Sequence, residues 1–210
     1  MIKISISIKL LCFLFCFTII NLKAQQVNIG GKIWSTKNLD VSKFRNGNLI
    51  KQVKTKEEWL RAIKLKQPAW CFYNNDASFN SKFGKLYNWY ALIDSSKIAP
   101  SGWHVASDDE WKDLTDFLGG DNIAGNILKS KTGWEAKGNG IDERGFNILP
   151  AGICNEKFNF LYYGISSYYW TSMENNDYKA VCKYFGNGLG DVGTHNFSKN
   201  IGLSVRCVKD

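Results

Sequence analysis

Ser107-Asp108-Asp109-Glu110-Trp111-Lys112-Asp113-Leu114-Thr115-Asp116-Phe117-Leu118-Gly119-Gly120 is the stretch whose reading decides the fold class. Its first four residues form a capping box. The Ser107 hydroxyl can accept from a free backbone N–H of the first turn, and Glu110 can reach back to the cap. Trp111, Leu114, Thr115 and Leu118 follow at spacings of three and four, which places them on one helical face. Gly119-Gly120 supplies a left-handed exit. Upstream, Thr55-Lys56-Glu57-Glu58 repeats the box, Trp59, Ala62 and Ile63 share a face, and Pro68 is expected to stop that helix. A short third helix is expected over residues 123–128.

The texture changes from Gly133 onward. Short apolar or aromatic runs at residues 146–149, 158–163, 168–172, 180–185 and 203–208 are separated by Gly, Asn and Asp, so they read as strands and hairpins. At the other end, residues 27–39 alternate around Ile29, Ile33 and Trp34 with Gly30-Gly31 at the turn, which reads as a hairpin. That opening strand must pair with the last strand, because a bare edge invites aggregation. The expectation is an α+β fold with two early helices, a small antiparallel sheet late in the chain, and the N-terminal strand paired with the C-terminal one.

The first residues carry a different signal. Lys3 and Lys9 precede an apolar run from Leu10 to Ile20, and Leu22-Lys23-Ala24 ends it on a small residue before Gln25-Gln26. Charged start, short apolar core and small-residue exit are what a signal peptidase reads. The run falls short of the roughly 20 apolar residues that span a bilayer. Residues 1–24 therefore read as a signal peptide cut near Ala24. Residues 25–210 read as one domain, secreted or held at the cell surface. An uncleaved N-terminal anchor is the alternative. Cys12 and Cys16 lie inside the apolar run, neither placed as a lipid-attachment site. No second apolar stretch follows, so no membrane span is expected after cleavage.

The leader carries Lys3, Lys9 and Lys23 and no acid, so its removal lowers the formal charge from +8 by three, to +5. The basic residues gather only at 51–66, where Glu57 and Glu58 interrupt them, so nucleic acid is not an expected partner. Cys71, Cys154, Cys182 and Cys207 remain; an even number in an exported chain favours disulfides, and spacing leaves all three pairings open. With no Cys-x-x-Cys pair, and with His104 and His195 far from any cysteine in sequence, a zinc site is not expected.

Candidate binding residues lie late in the chain. Tyr162, Tyr163 and Tyr168 alternate along expected strands, so some must face outward, where aromatics stack on sugars or fill protein interfaces; sheet packing is the competing reading. Glu174-Asn175-Asn176-Asp177 gathers oxygen ligands in a loop, as does Asn74-Asn75-Asp76. Calcium takes about six to eight such oxygens. Asx turns account for both clusters equally well. No other cofactor is suggested. Gly188-Leu189-Gly190-Asp191-Val192-Gly193 fits a dinucleotide pattern but opens no helix, so it reads as a hairpin turn. His104 has no nucleophile motif beside it and reads as structural.

Several strings extend this picture. They are Ala69-Trp70-Cys71-Phe72-Tyr73-Asn74-Asn75-Asp76, Gly84-Lys85-Leu86-Tyr87-Asn88-Trp89-Tyr90-Ala91, and Ala99-Pro100-Ser101-Gly102-Trp103-His104-Val105. Gly145-Phe146-Asn147-Ile148-Leu149-Pro150-Ala151-Gly152, Tyr169-Trp170-Thr171-Ser172 and Gly202-Leu203-Ser204-Val205-Arg206-Cys207-Val208-Lys209-Asp210 complete them. In this order they resemble the Fibrobacter succinogenes major paralogous domain over nearly the whole chain after the leader. The resemblance implies a C-type-lectin-like fold, related to the formylglycine-generating enzymes, and it implies export. Many members carry a cysteine just before the Pro-x-Gly-Trp motif, where this chain has Ala99; others, like this chain, carry Trp-Cys upstream. The resemblance thereby implies the disulfides Cys71–Cys207 and Cys154–Cys182. The expected function is recognition of a glycan or protein ligand, or surface structure, without catalysis. The alternative is an oxidase of the formylglycine-generating kind.

Overall fold

The computed structural model describes residues 25–188 and 190–210. The expected signal peptide at residues 1–24, with Cys12 and Cys16, lies outside the described residues. The chain opens as a hairpin of β1 (Gln26–Ile29) and β2 (Lys32–Ser35), turning at Gly30-Gly31. β2 pairs antiparallel with the closing strand β13 (Cys207–Lys209), Trp34 opposite Val208, and β13 pairs with β6 (Trp103–Val105). The expected union of first and last strands is therefore present, in the order β1-β2-β13-β6.

A second sheet joins β3 (Lys51–Gln52), β4 (Ala69–Cys71) and β5 (Leu86–Tyr87). The largest runs β11 (Gly193–Ser198), β10 (Lys179–Gly186), β9 (Ser166–Glu174), β7 (Ala151–Cys154), β8 (Phe160–Tyr163), with β12 (Ser204–Val205) also on β9. It is larger than expected and not purely antiparallel, because β7 and β12 both run parallel to β9. Gly152 lets β7 pass close under β8: its φ is +66°, and a Cβ there would lie 2.3 Å from the Leu161 carbonyl oxygen. β10 and β11 form a hairpin through the Gly-rich segment, as the turn reading expected.

Among the described residues, five short α-helices complete an α+β fold: α1 (Lys56–Lys64), α2 (Asn80–Phe83), α3 (Trp89–Ile93), α4 (Asp108–Phe117) and α5 (Asp121–Leu128). The box of α4 closes both ways: Ser107 Oγ accepts from the Glu110 N–H at 3.2 Å, and Glu110 Oε2 accepts from the Ser107 N–H at 2.9 Å. The Gly119 and Gly120 amides then bond the Asp116 and Thr115 carbonyls at 3.0 and 2.8 Å, the expected exit. α1 differs. Thr55 Oγ1 accepts from the Glu58 N–H, but Glu58 Oε2 accepts from the Lys54 amide at 2.7 Å, one residue before the cap. Lys66, at φ +50°, ends this helix ahead of Pro68, and the Gln67 amide bonds the Ala62 carbonyl at 2.8 Å.

Two expected strands are corrected. Residues 146–149 make only a single bridge, Ile148 with Lys129. Residues 203–208 divide into β12 and β13 on two different sheets. The fully buried Arg206 guanidinium sits at the break between β12 and β13 and takes the carbonyls of Phe146 and Asn147 at 3.1 and 3.0 Å, and Asn147, at φ +58°, leaves the extended conformation that a ladder needs. Beside the guanidinium, which contacts Phe146 and Tyr169, lies an aromatic cluster: Trp111 lies 5.0 Å from Trp34, 5.8 Å from Phe146, 5.6 Å from Tyr169 and 6.0 Å from Phe185, centroid to centroid. No helix among the described residues is long and apolar enough to cross a membrane.

His104 is structural in a specific way. Its Nδ1 lies 2.7 Å from Asp210 and its Nε2 2.9 Å from Glu110. Neutral imidazole has one donor, so only imidazolium serves both carboxylates. Burial alone would lower the His104 pKa, but the hydrogen bonds it donates to Asp210 and Glu110, with their negative charge, outweigh it and hold the pKa above the ordinary 6.5. Burial would raise Glu110, yet the Ser107 amide, His104 and Lys32 together keep it below its ordinary 4.5. The His104 contribution to stability is thus complete below about pH 6.5 and lost as pH rises through the raised value. The Glu110 contribution is lost in the opposite sense, as pH falls below about 4.5. Urea midpoints should therefore fall between pH 6 and pH 9 in the wild type and fall less in His104→Gln. Equal losses in both proteins would contradict the latch.

Candidate recognition cleft

Asn88 organises the site. Fully buried, it caps α3 by accepting from the Ala91 N–H at 3.3 Å and also accepts from the Ala69 N–H at 3.0 Å. Its amide donates to the Gln67 carbonyl at 2.8 Å. α3 is thereby pinned beside the turn that follows α1, and Trp89, Tyr90, Ile93 and Asp94 face the loop between β9 and β10. Lys199 closes the knot. Its amide bonds the Tyr178 carbonyl at 3.0 Å, and its carbonyl accepts from the Trp89 amide at 3.1 Å.

The result is a cleft of about 490 Å³ whose walls include Lys66, Tyr90, Asp94, Glu174, Asp177 and Tyr178. The buried Lys199 ammonium forms part of its floor, 4.7 Å from the Trp89 ring centre. It donates to a Glu174 carboxylate oxygen and, at 3.0 Å, to the Asp177 carbonyl. Two oxygens of the expected calcium loop are thus occupied by a tethered cation. The two asparagine side-chain oxygens also have partners: Asn176 Oδ1 accepts from the Tyr178 and Lys179 amides at 2.9 Å, and Asn175 Oδ1 accepts from Asn176 Nδ2 at 2.9 Å. These are the local turns that the loop's composition also allowed. Asp76 behaves likewise, accepting from the Ser78 amide at 2.8 Å.

The three candidate tyrosines do not form one surface: Tyr162 and Tyr168 are neighbours and Tyr163 lies apart. Tyr162, 46 % exposed, leans on Tyr168 at 6.3 Å. Tyr168 is only 8 % exposed, packed between Tyr184 at 4.9 Å and Phe197 at 5.1 Å. Tyr163 packs elsewhere, against Tyr73, Phe79 and Phe83 at 5.3–5.4 Å. Tyr163 is 40 % exposed despite these contacts, so the sheet-packing reading describes Tyr168 alone fully. The exposed aromatic that does stand at a cleft is Tyr178, 80 % exposed. It lies one residue beyond the acidic loop singled out above. A bulky aromatic among Asn and Asp at a hairpin tip was the available signal.

The cysteines are also placed differently. All four are free and buried in the structure, so neither Cys71–Cys207 nor Cys154–Cys182 is formed. Cys71 and Cys154 share one core cluster with Trp59 and Leu86, whereas Cys182 and Cys207 belong to another. Each expected bridge would have had to join the two clusters. Burial pushes the Cys71 thiol well up, and the Cys154 thiol beside it adds to this.

Fold and cleft together define a sheet-rich α+β domain with a loop-built cavity at one end of its large sheet. The model of the Fibrobacter succinogenes major domain matches residues 27–209. The chain belongs to that family. No curated protein and no solved structure matches it.

Proposed function

We propose that this is an exported, non-catalytic recognition domain that binds a glycan in the cleft beside Lys199. The observation that carries this reading is Tyr178, 80 % exposed beside the carboxylates of Glu174 and Asp177. A sugar ring offers an apolar face to stack on such a side chain and hydroxyls to donate to such acceptors. Tyr90 and Lys66 add a further aromatic wall and a donor. The resemblance to C-type-lectin-like folds, which keep a loop site near the position of Glu174 and Asp177, points to the same place, while the Glu-Pro-Asn and Trp-Asn-Asp signatures of sugar-binding lectins are absent from this sequence. The Lys199 ammonium supplies the positive charge there, which supports binding without a metal.

Export is supported by the charged, apolar and small-residue pattern of residues 1–24. The thiols speak against the alternative of a cysteine-dependent oxidase of the formylglycine-generating kind. Burial pushes Cys182 and Cys207 up to about 12, the opposite of an activated cysteine. A glycan array probed with the purified domain tests the proposal. Saturable signal for a defined class of oligosaccharide is the expected result, and an array at background throughout would remove the glycan reading.

A further inference from the structure

A second, smaller pocket of about 190 Å³ lies where β2, α2 and the Arg206 break converge. Its walls carry Lys37, Lys82 and Arg206, with Asn38, Ser81 and Asn147 between them, and no carboxylate. Arg206 is 1 % exposed. It donates to Asn38 Oδ1 at 2.9 Å and to the carbonyls of Ser35, Phe146 and Asn147 at 2.6, 3.1 and 3.0 Å. Every one of these acceptors is neutral. Among the described residues, none of the three cations makes a salt bridge. Asp142, the carboxylate whose field reaches Arg206, accepts from the Asn147 amide at 2.8 Å instead. Lys82 is set over the Phe83 ring, 5.0 Å from its centre, and Lys37 is exposed.

A buried charge is ordinarily matched by an opposite one, because desolvation is costly and carbonyl dipoles offset it only in part. Here a buried guanidinium and two lysines without a salt bridge line one hollow that suits a small anion. Guanidinium and ammonium donors are also the groups that hold sulfate and phosphate best. We propose that this pocket binds a tetrahedral oxyanion, sulfate or phosphate, with Lys37 and Lys82 as the movable clamps and Arg206 as the fixed charge behind them. The site is separate from the glycan cleft and does not depend on it.

Calorimetry and thermal unfolding of the whole domain test this, with sodium sulfate and sodium phosphate compared against sodium chloride at equal ionic strength. The oxyanions should bind saturably and raise Tm where chloride does not. The Lys37→Ala/Lys82→Ala double variant should bind at least about tenfold more weakly. Its Tm in chloride should be unchanged, since both side chains are exposed, and the corresponding double arginine variant should keep binding. Glucose 6-sulfate and glucose 6-phosphate distinguish the source. Binding as tight as the inorganic ions assigns the site to an ester on a larger ligand, and binding of the inorganic ions alone assigns it to the free anion. Absence of saturable binding, or equal binding by wild type and double alanine variant, overturns the proposal.

Discussion

Arg206→Leu should cost roughly 3–5 kcal/mol of stability, because its four charge-assisted hydrogen bonds each contribute about 1.5–3 kcal/mol before desolvation is set against them. The acceptors left behind are Asn38 Oδ1 and the carbonyls of Ser35, Phe146 and Asn147. They come from the end of the opening hairpin and the stretch directly after it, and from the segment before β7, so one side chain ties two distant parts of the chain to the closing strands. Leucine fills much of the volume and serves none of the acceptors. Arg206→Lys should recover only a minor part, since one ammonium cannot reproduce the planar fork. Urea unfolding of the purified domain would measure both variants. A loss below about 1 kcal/mol in Arg206→Leu, the scale of a single ordinary hydrogen bond, would show that the break between β12 and β13 is held by something else.

Trp111→Ala should be of similar size, about 3–5 kcal/mol, for a different reason. Trp111 is fully buried on the inner face of α4 and touches Trp34, Phe146, Tyr169 and Phe185. Its indole N–H meets no acceptor among the described residues. The loss is therefore one of packing: transfer of the side chain plus the cavity left between a helix and two sheets. Trp111→Phe should then be much milder, since it keeps most of the contact and forfeits no hydrogen bond. Equal destabilisation by both substitutions would point to a polar role for the indole.

The parts of this fold that could be read in the sequence are those decided within a few residues. The Ser107–Glu110 box, the Gly119-Gly120 exit and the hairpin at Gly30-Gly31 depend on neighbours alone, and each stands as expected. The failures come from partners far along the chain. Residues 146–149 have the composition of a strand, but Arg206, some 60 positions away, takes their carbonyls. Residues 203–208 alternate like one strand, yet the same arginine turns between two sheets. β11 was not anticipated, because Thr194, His195 and Asn196 carry no apolar alternation and their strand is defined by pairing with β10. The cleft was half visible. Glu174 and Asp177 were picked out by composition, while Lys199, which sits between their oxygens, lies 25 residues beyond Glu174. Tyr162, Tyr163 and Tyr168 were legible as aromatics, but only register decides which face each one takes.

The central claim is that ligand is met at the hairpin tip carrying Tyr178 and not on the aromatic row of the large sheet. Calorimetric titration of an array-selected oligosaccharide into wild type and Tyr178→Ala tests it most directly. Loss of a stacked aromatic should weaken binding about tenfold, equivalent to roughly 1.4 kcal/mol, with the thermal unfolding midpoint unchanged. An affinity unchanged in Tyr178→Ala but lost in Tyr162→Ala would contradict the account and move the site to the sheet.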